Sequence, residues 1–143
     1  MGLRVSKRIA SFGIQVAVGC LLIAGAGDAM AQKARRSSTL GGSWSGGGVM
    51  STPSGNQERA TCRATFANRG GSSYQMTATC ATASIRVRQT AHIVRTGGNN
   101  FAGSFHNAEY NVSGSIQLLV RGNKLSAYLA GGGASASLHL KRR

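Results

Sequence analysis

Residues 60–80 read Ala60-Thr61-Cys62-Arg63-Ala64-Thr65-Phe66, then Ala67-Asn68-Arg69-Gly70-Gly71-Ser72-Ser73, then Tyr74-Gln75-Met76-Thr77-Ala78-Thr79-Cys80. Ala60, Cys62, Ala64 and Phe66 alternate with polar residues, and Tyr74, Met76, Ala78 and Cys80 do the same. Alternation with period two is the pattern of a half-buried strand. The Asn68–Ser73 segment between the two runs is turn sequence. A hairpin centred on Gly71 sets Phe66 opposite Met76, Ala64 opposite Ala78 and Cys62 opposite Cys80. Both cysteines then lie on the apolar face within bonding reach, because directly opposed residues in an antiparallel pair stand close together. A metal site is the competing reading, but no CxxC and no paired histidine accompanies these cysteines. A Cys62–Cys80 disulfide closes a loop of ~20 residues, worth on the order of 3 kcal/mol.

The same grammar extends in both directions. Gly42 to Met50 carries Trp44 and Met50 on one parity. Ile85, Val87, Ala91 and Ile93 alternate with Arg86, Arg88, Thr90 and His92. Short strands follow around Phe101–Phe105, Tyr110–Val120, Leu125–Leu129 and Ala134–Leu140. Gly98-Asn99-Asn100-Phe101 and Gly122-Asn123-Lys124-Leu125 form a faint repeat, each a Gly-Asn turn feeding a strand. No window after residue 31 shows a helical apolar stripe. About eight short antiparallel strands with tight turns make an all-β chain, a small up-and-down barrel or a sandwich. A closed barrel removes exposed edges, and this chain has few other edge guards. Inward positions mix large residues with Ala and Gly. A filled interior is the expectation for so small a barrel, and a cavity for a small apolar ligand is the alternative.

The N-terminus supplies an address. Arg4, Lys7 and Arg8 precede an apolar run from Ile9 to Ala26, and Ala29-Met30-Ala31 gives a small-x-small cleavage pattern. Residues 1–31 read as a signal peptide, 32–38 as a flexible basic lead-in and 39–143 as one barrel domain. The expected location is periplasmic or secreted, with no membrane-spanning segment in the mature chain. Lipidation at Cys20 is the lesser alternative. Ala17-Val18-Gly19 fits a lipobox poorly, and the chain stays apolar after Cys20. Cleavage leaves two cysteines, an even count that suits an oxidising compartment. It also leaves 14 Lys+Arg against Glu58 and Glu109, a net charge of +12. Charge this lopsided speaks to partners, not to fold.

Gly42-Ser43-Trp44 at the start of the first strand resembles the Gly-x-Trp signature of lipocalin-type barrels. In that family the tryptophan closes the barrel base beneath a basic residue from a late strand, which implies Trp44 with Lys141 or Arg142 here. A wider ordered set runs Gly41-Gly42-Ser43-Trp44-Ser45-Gly46-Gly47-Gly48, Glu58-Arg59-Ala60-Thr61-Cys62-Arg63-Ala64, Cys80-Ala81-Thr82-Ala83-Ser84, Gly103-Ser104-Phe105 and Val112-Ser113-Gly114-Ser115-Ile116. It resembles small exported proteins of alphaproteobacteria that carry no assigned activity. That resemblance implies compartment and all-β fold and brings no site residues. The mature chain is short for a lipocalin, which argues against a deep calyx.

No catalytic constellation emerges. His106 and Glu109 lie near each other in sequence, but no nucleophile or orienting partner accompanies them, so they read as polar loop residues. Glu58 and Glu109 would have to meet to act as a carboxylate pair. His92 and His139 fall on the outer face. No phosphate-binding glycine motif occurs in a strand–loop–helix context, and the few aromatics read as core rather than as stacking platforms. No cofactor, metal or specific nucleic acid is expected. Arginine forks suit phosphate and carboxylate, and Arg59 with Arg63, and Arg86 with Arg88, share strand faces. The leading expectation is a non-enzymatic exported barrel binding anionic lipid, lipopolysaccharide or acidic polysaccharide through those arginines. A small-ligand carrier comes second, and a periplasmic enzyme last.

Overall fold

The computed structural model describes residues 39–143; the signal segment 1–31, Cys20 and the lead-in 32–38 lie outside the described residues. Eight strands follow one another: β1 Gly42–Ser51, β2 Gln57–Gly70, β3 Ser73–Ala81, β4 Arg86–Gly97, β5 Asn100–Asn107, β6 Val112–Arg121, β7 Lys124–Gly131 and β8 Ala134–Arg142. Each pairs antiparallel with the next, and β8 pairs with β1, so the sheet closes into an up-and-down barrel. The β2–β3 register sets Cys62 against Cys80, Ala64 against Ala78 and Phe66 against Met76. Gly71 takes the left-handed backbone (φ 54°) that its two-residue turn demands. The two cysteines are bonded, with their α-carbons 4.1 Å apart.

Apolar parity faces inward on every strand. Trp44, Phe66, Tyr74, Ile93, Phe101 and Leu140 are all buried. The outer face carries serine, threonine, histidine and arginine, the reverse of the apolar exterior of a membrane-spanning barrel. No described helix is long and apolar enough to cross a membrane. Closure depends on β1 glycines at inward positions. A Cβ on Gly46 would stand 2.2 Å from the His139 carbonyl oxygen, and one on Gly48 would stand 1.9 Å from that of Ser137. Only glycine lets β1 bend this closely onto β8, the corner that a small barrel needs.

One element departs from the alternation pattern. Tyr110 has the parity of β6 but sits in the β5–β6 turn, 48% exposed. The Asn107 side chain captures the Tyr110 amide at 2.9 Å, and Asn111 turns left-handed at φ 51°. Local amide chemistry therefore holds Tyr110 in the turn, and β6 begins only at Val112.

Candidate functional site: a barrel capped at one end and hollow at the other

The two ends of the barrel differ. The β2–β3, β4–β5 and β6–β7 turns and both described termini share one end. This end is closed. Trp44 is fully buried there and its indole N–H donates to the Leu40 carbonyl at 2.9 Å. The Arg142 guanidinium stands 4.2 Å above the indole ring. It donates to the Gly41 carbonyl at 2.5 Å and also to that of Thr39. Lys141 does not share this role: it stands on the outer face, exposed, opposite Ser45 and Lys124. Strand parity decides between the two, since Leu138 and Leu140 face inward and residue 142 continues their row. Arg95 provides a second plug that sequence reasoning missed. Its guanidinium lies 4.6 Å over the Phe101 ring and donates to the Gly98 carbonyl. The signal was available, because Arg95 shares parity with Ala91 and Ile93.

The opposite end is open. A cavity of about 270 Å³ occupies the mouth, so the expectation of a fully filled interior is corrected: the barrel is packed below and hollow above. Register explains the difference. Ala60, Cys62, Cys80 and Ala136 all line the mouth, where four large side chains would have filled it. At the closed half, Ala127 lies between Leu118 and Leu138, and only a ~20 Å³ void remains there. The Phe105 ring forms one wall, fitted over Gly114, where any Cβ would meet it at 2.7 Å. Ile85, Pro53 and Tyr110 line the rim.

Two neutral amides supply the polarity. Asn107 is buried and fully engaged. It donates to the Arg88 carbonyl at 3.1 Å and accepts from the Tyr110 amide, which fixes the rim loop. Gln89 is half-buried at an inward position opposite Ala78. It lies at the floor, between the cavity and the small void beneath it, and among the described residues no group is hydrogen-bonded to its side chain. Neither Lys nor Arg lines the cavity among the described residues. Glu58, at the start of β2, accepts hydrogen bonds from the Ser84 hydroxyl at 2.8 and 2.7 Å. Hydroxyl hydrogen bonds from Thr82 and then Ser84 hold its carboxyl below the ordinary carboxylate range.

The remaining sequence candidates fall elsewhere. Arg59, Arg63, Arg86 and Arg88 are all exposed on the outer face. They flank β3: Arg63 and Arg88 stand on either side of Thr79, and Arg86 lies opposite Ala81. His106 Nδ1 is 3.0 Å from the Ser113 hydroxyl on the outer surface, and His139 lies 3.4 Å from the Ser126 hydroxyl. No cluster of three or more potential metal ligands occurs among the described residues.

No protein-family model matches the chain, and no curated protein matches it. Solved structures do resemble it in fold. The redesigned β-barrel mFAP1 bound to DFHBI has a TM-score of 0.60 at 10% identity, covering 73% of this chain and 94% of that one. The redesigned barrel mFAP0 bound to DFHBI has a TM-score of 0.60 at 12% identity, covering 72% of this chain and 98% of that one. A de novo designed fluorescence-activating β-barrel has a TM-score of 0.57 at 11% identity, covering 73% and 94%. At these identities the likeness establishes an eight-stranded barrel architecture and nothing further.

Proposed function

We propose that this protein is a non-enzymatic carrier of one small, neutral, largely apolar molecule, working outside the cytoplasm. The observation that carries this reading is the cavity of about 270 Å³ at the mouth of a barrel whose other end is sealed. Its size sits just below the ~300–1,000 Å³ range of small-molecule pockets, so the ligand is small. Walls of Phe105, Val87, Leu129 and the cysteine pair favour an apolar body. Gln89 supplies an N–H2 donor group and a carbonyl acceptor at the floor, which suits a single hydroxyl or carbonyl group. With no cation in the lining and an ionised Glu58 at the start of β2, a carboxylate ligand is disfavoured. Two of the similar solved barrels are bound to DFHBI, so barrels of this fold can take small ligands. The Cys62–Cys80 bond fits an oxidising compartment.

The test is calorimetric titration with hexanol, octanol and the matching carboxylic acids. One-site binding of an alcohol, and binding of its acid at least about 10-fold weaker, is the expected result. Replacing Gln89 by Leu lowers alcohol affinity about fivefold, the worth of one neutral hydrogen bond. Absence of saturable binding by every alcohol refutes the reading.

The charge supports a second partner class, the anionic components of the cell envelope. From Thr39 to Arg143 eleven Lys and Arg side chains face two acids, Glu58 and Glu109.

A further inference from the structure

The cations are not spread evenly. Glu58 begins β2 and Glu109 lies in the β5–β6 loop, so both acids belong to the mouth. No Asp or Glu follows Glu109 in the sequence. At the closed end, Arg69, Arg121, Lys124, Lys141 and Arg143 are all exposed. Three of them are direct cross-strand neighbours: Arg121 opposes Lys124, and Lys124 opposes Lys141. Like charges directly opposite one another on adjacent strands cost stability. Among the described residues no Asp or Glu stands on this row, so it is a run of like charge to which an external anion is attracted.

The shape of this end narrows the anion. Its three hairpin turns, Gly71-Ser72, Gly98-Asn99 and Gly122-Asn123, each span two residues. Among the described residues none of its exposed cations lines a cavity; those on adjacent strands stand at intervals of ~4.8 Å on the outer face of the sheet. Such a surface engages a sheet of charge through several side chains at once, while a discrete anion meets one or two of them. Clusters of four to eight basic side chains are what anionic lipid surfaces attract. We infer that the closed end is a docking face for an anionic phospholipid surface, carried by Arg121, Lys124, Lys141 and Arg143, with the mouth directed away from the lipid. This rests on the anionic partner class proposed above.

The test is co-sedimentation with vesicles of phosphatidylglycerol in phosphatidylcholine, against phosphatidylcholine alone, with protein purified after expression of the full chain. The triple variant R121Q/K124Q/K141Q is expected to lose about 100-fold in partitioning. R59Q/R63Q/R86Q removes the same charge from the β2 and β4 outer face and is expected to stay within about threefold of the parent. K124E relieves both like-charge contacts, so its folding is not in jeopardy, and it is expected to lower partitioning about 30-fold. Equal losses in the two triple variants leave an anionic partner in place but overturn docking by this end. Equal sedimentation with both vesicle types overturns the anionic partner class itself. Displacement by inorganic phosphate at matched ionic strength identifies a free anion as the partner and overturns the lipid surface.

Discussion

A hollow mouth above a packed base makes one substitution change sign with its position. Ala60 is buried at 4% exposure and lines the mouth cavity. Ala60→Leu adds three carbons to a space of about 270 Å³, and at ~0.8 kcal/mol per buried carbon this gains about 2.4 kcal/mol. Immobilising the new side chain returns roughly 0.5–1 kcal/mol. A net gain of about 1.5–2 kcal/mol follows, with weaker alcohol binding because the added group occupies the ligand's space. Ala127 is buried at 6% exposure, lies between Leu118 and Leu138, and borders only the ~20 Å³ void on its inner side. The identical change there overpacks the base and costs about 1–3 kcal/mol. Urea unfolding of the parent and the two variants, with alcohol titration of each, reads both effects. Destabilisation by both substitutions refutes a hollow mouth, and destabilisation by neither refutes a packed base.

Arg142→Ala removes the cation over Trp44 and two donors to backbone carbonyls. It is expected to cost about 2–3 kcal/mol in urea unfolding, with Arg142→Lys restoring less than half because an ammonium lacks the guanidinium fork. Glu58 is held below its ordinary range by Thr82 and Ser84 in the folded state, so its contribution is present above the unfolded pKa and declines as pH falls through the folded pKa. Stability measured between pH 7 and pH 3 is therefore expected to fall on acidification, and Glu58→Gln to flatten that decline. Reduction of Cys62–Cys80, which lie 18 residues apart, is expected to lower stability by about 3 kcal/mol in unfolding with and without reductant.

Much of this fold could be read from side-chain alternation, and the reasons for the exceptions are local. The Cys62–Cys80 hairpin was legible because turn, parity and cysteine spacing are all short-range and agree. All eight strands were legible in outline for the same reason. The start of β6 was not, because Tyr110 is apolar and has strand parity, while the deciding hydrogen bond comes from a side chain three residues earlier. The choice of Arg142 over Lys141 was available from the parity of Leu138 and Leu140. The cavity was not available at all. Whether alanines leave a hollow depends on which of them share a level, and the level follows from the stagger of eight strands. Ala60 and Ala136 meet at the mouth, whereas Ala127 sits at a level filled by leucine. Gln89 was passed over because one polar residue in an apolar row carries no signal until the row has a cavity.

The two ends divide the chemistry between them, and strand parity is what separates it. Arg95 and Arg142 take inward positions at the closed end, where each guanidinium stacks on a buried ring and reaches backbone carbonyls. These contacts are satisfied within the protein, so the plugs are not part of the anion-facing set. The outward neighbours Arg121, Lys124 and Lys141 have cations opposite them instead. At the mouth the inward positions carry the amides of Gln89 and Asn107 and no cation among the described lining. On the proposed reading a neutral ligand would enter a cavity that no described Lys or Arg lines, while an anionic surface would meet the far pole. The two proposed activities would then not compete, because the length of the barrel lies between the closed-end cations and the mouth. A variant neutralised at the closed end should consequently keep its alcohol affinity unchanged while it loses vesicle binding, and a Gln89→Leu variant should show the reverse.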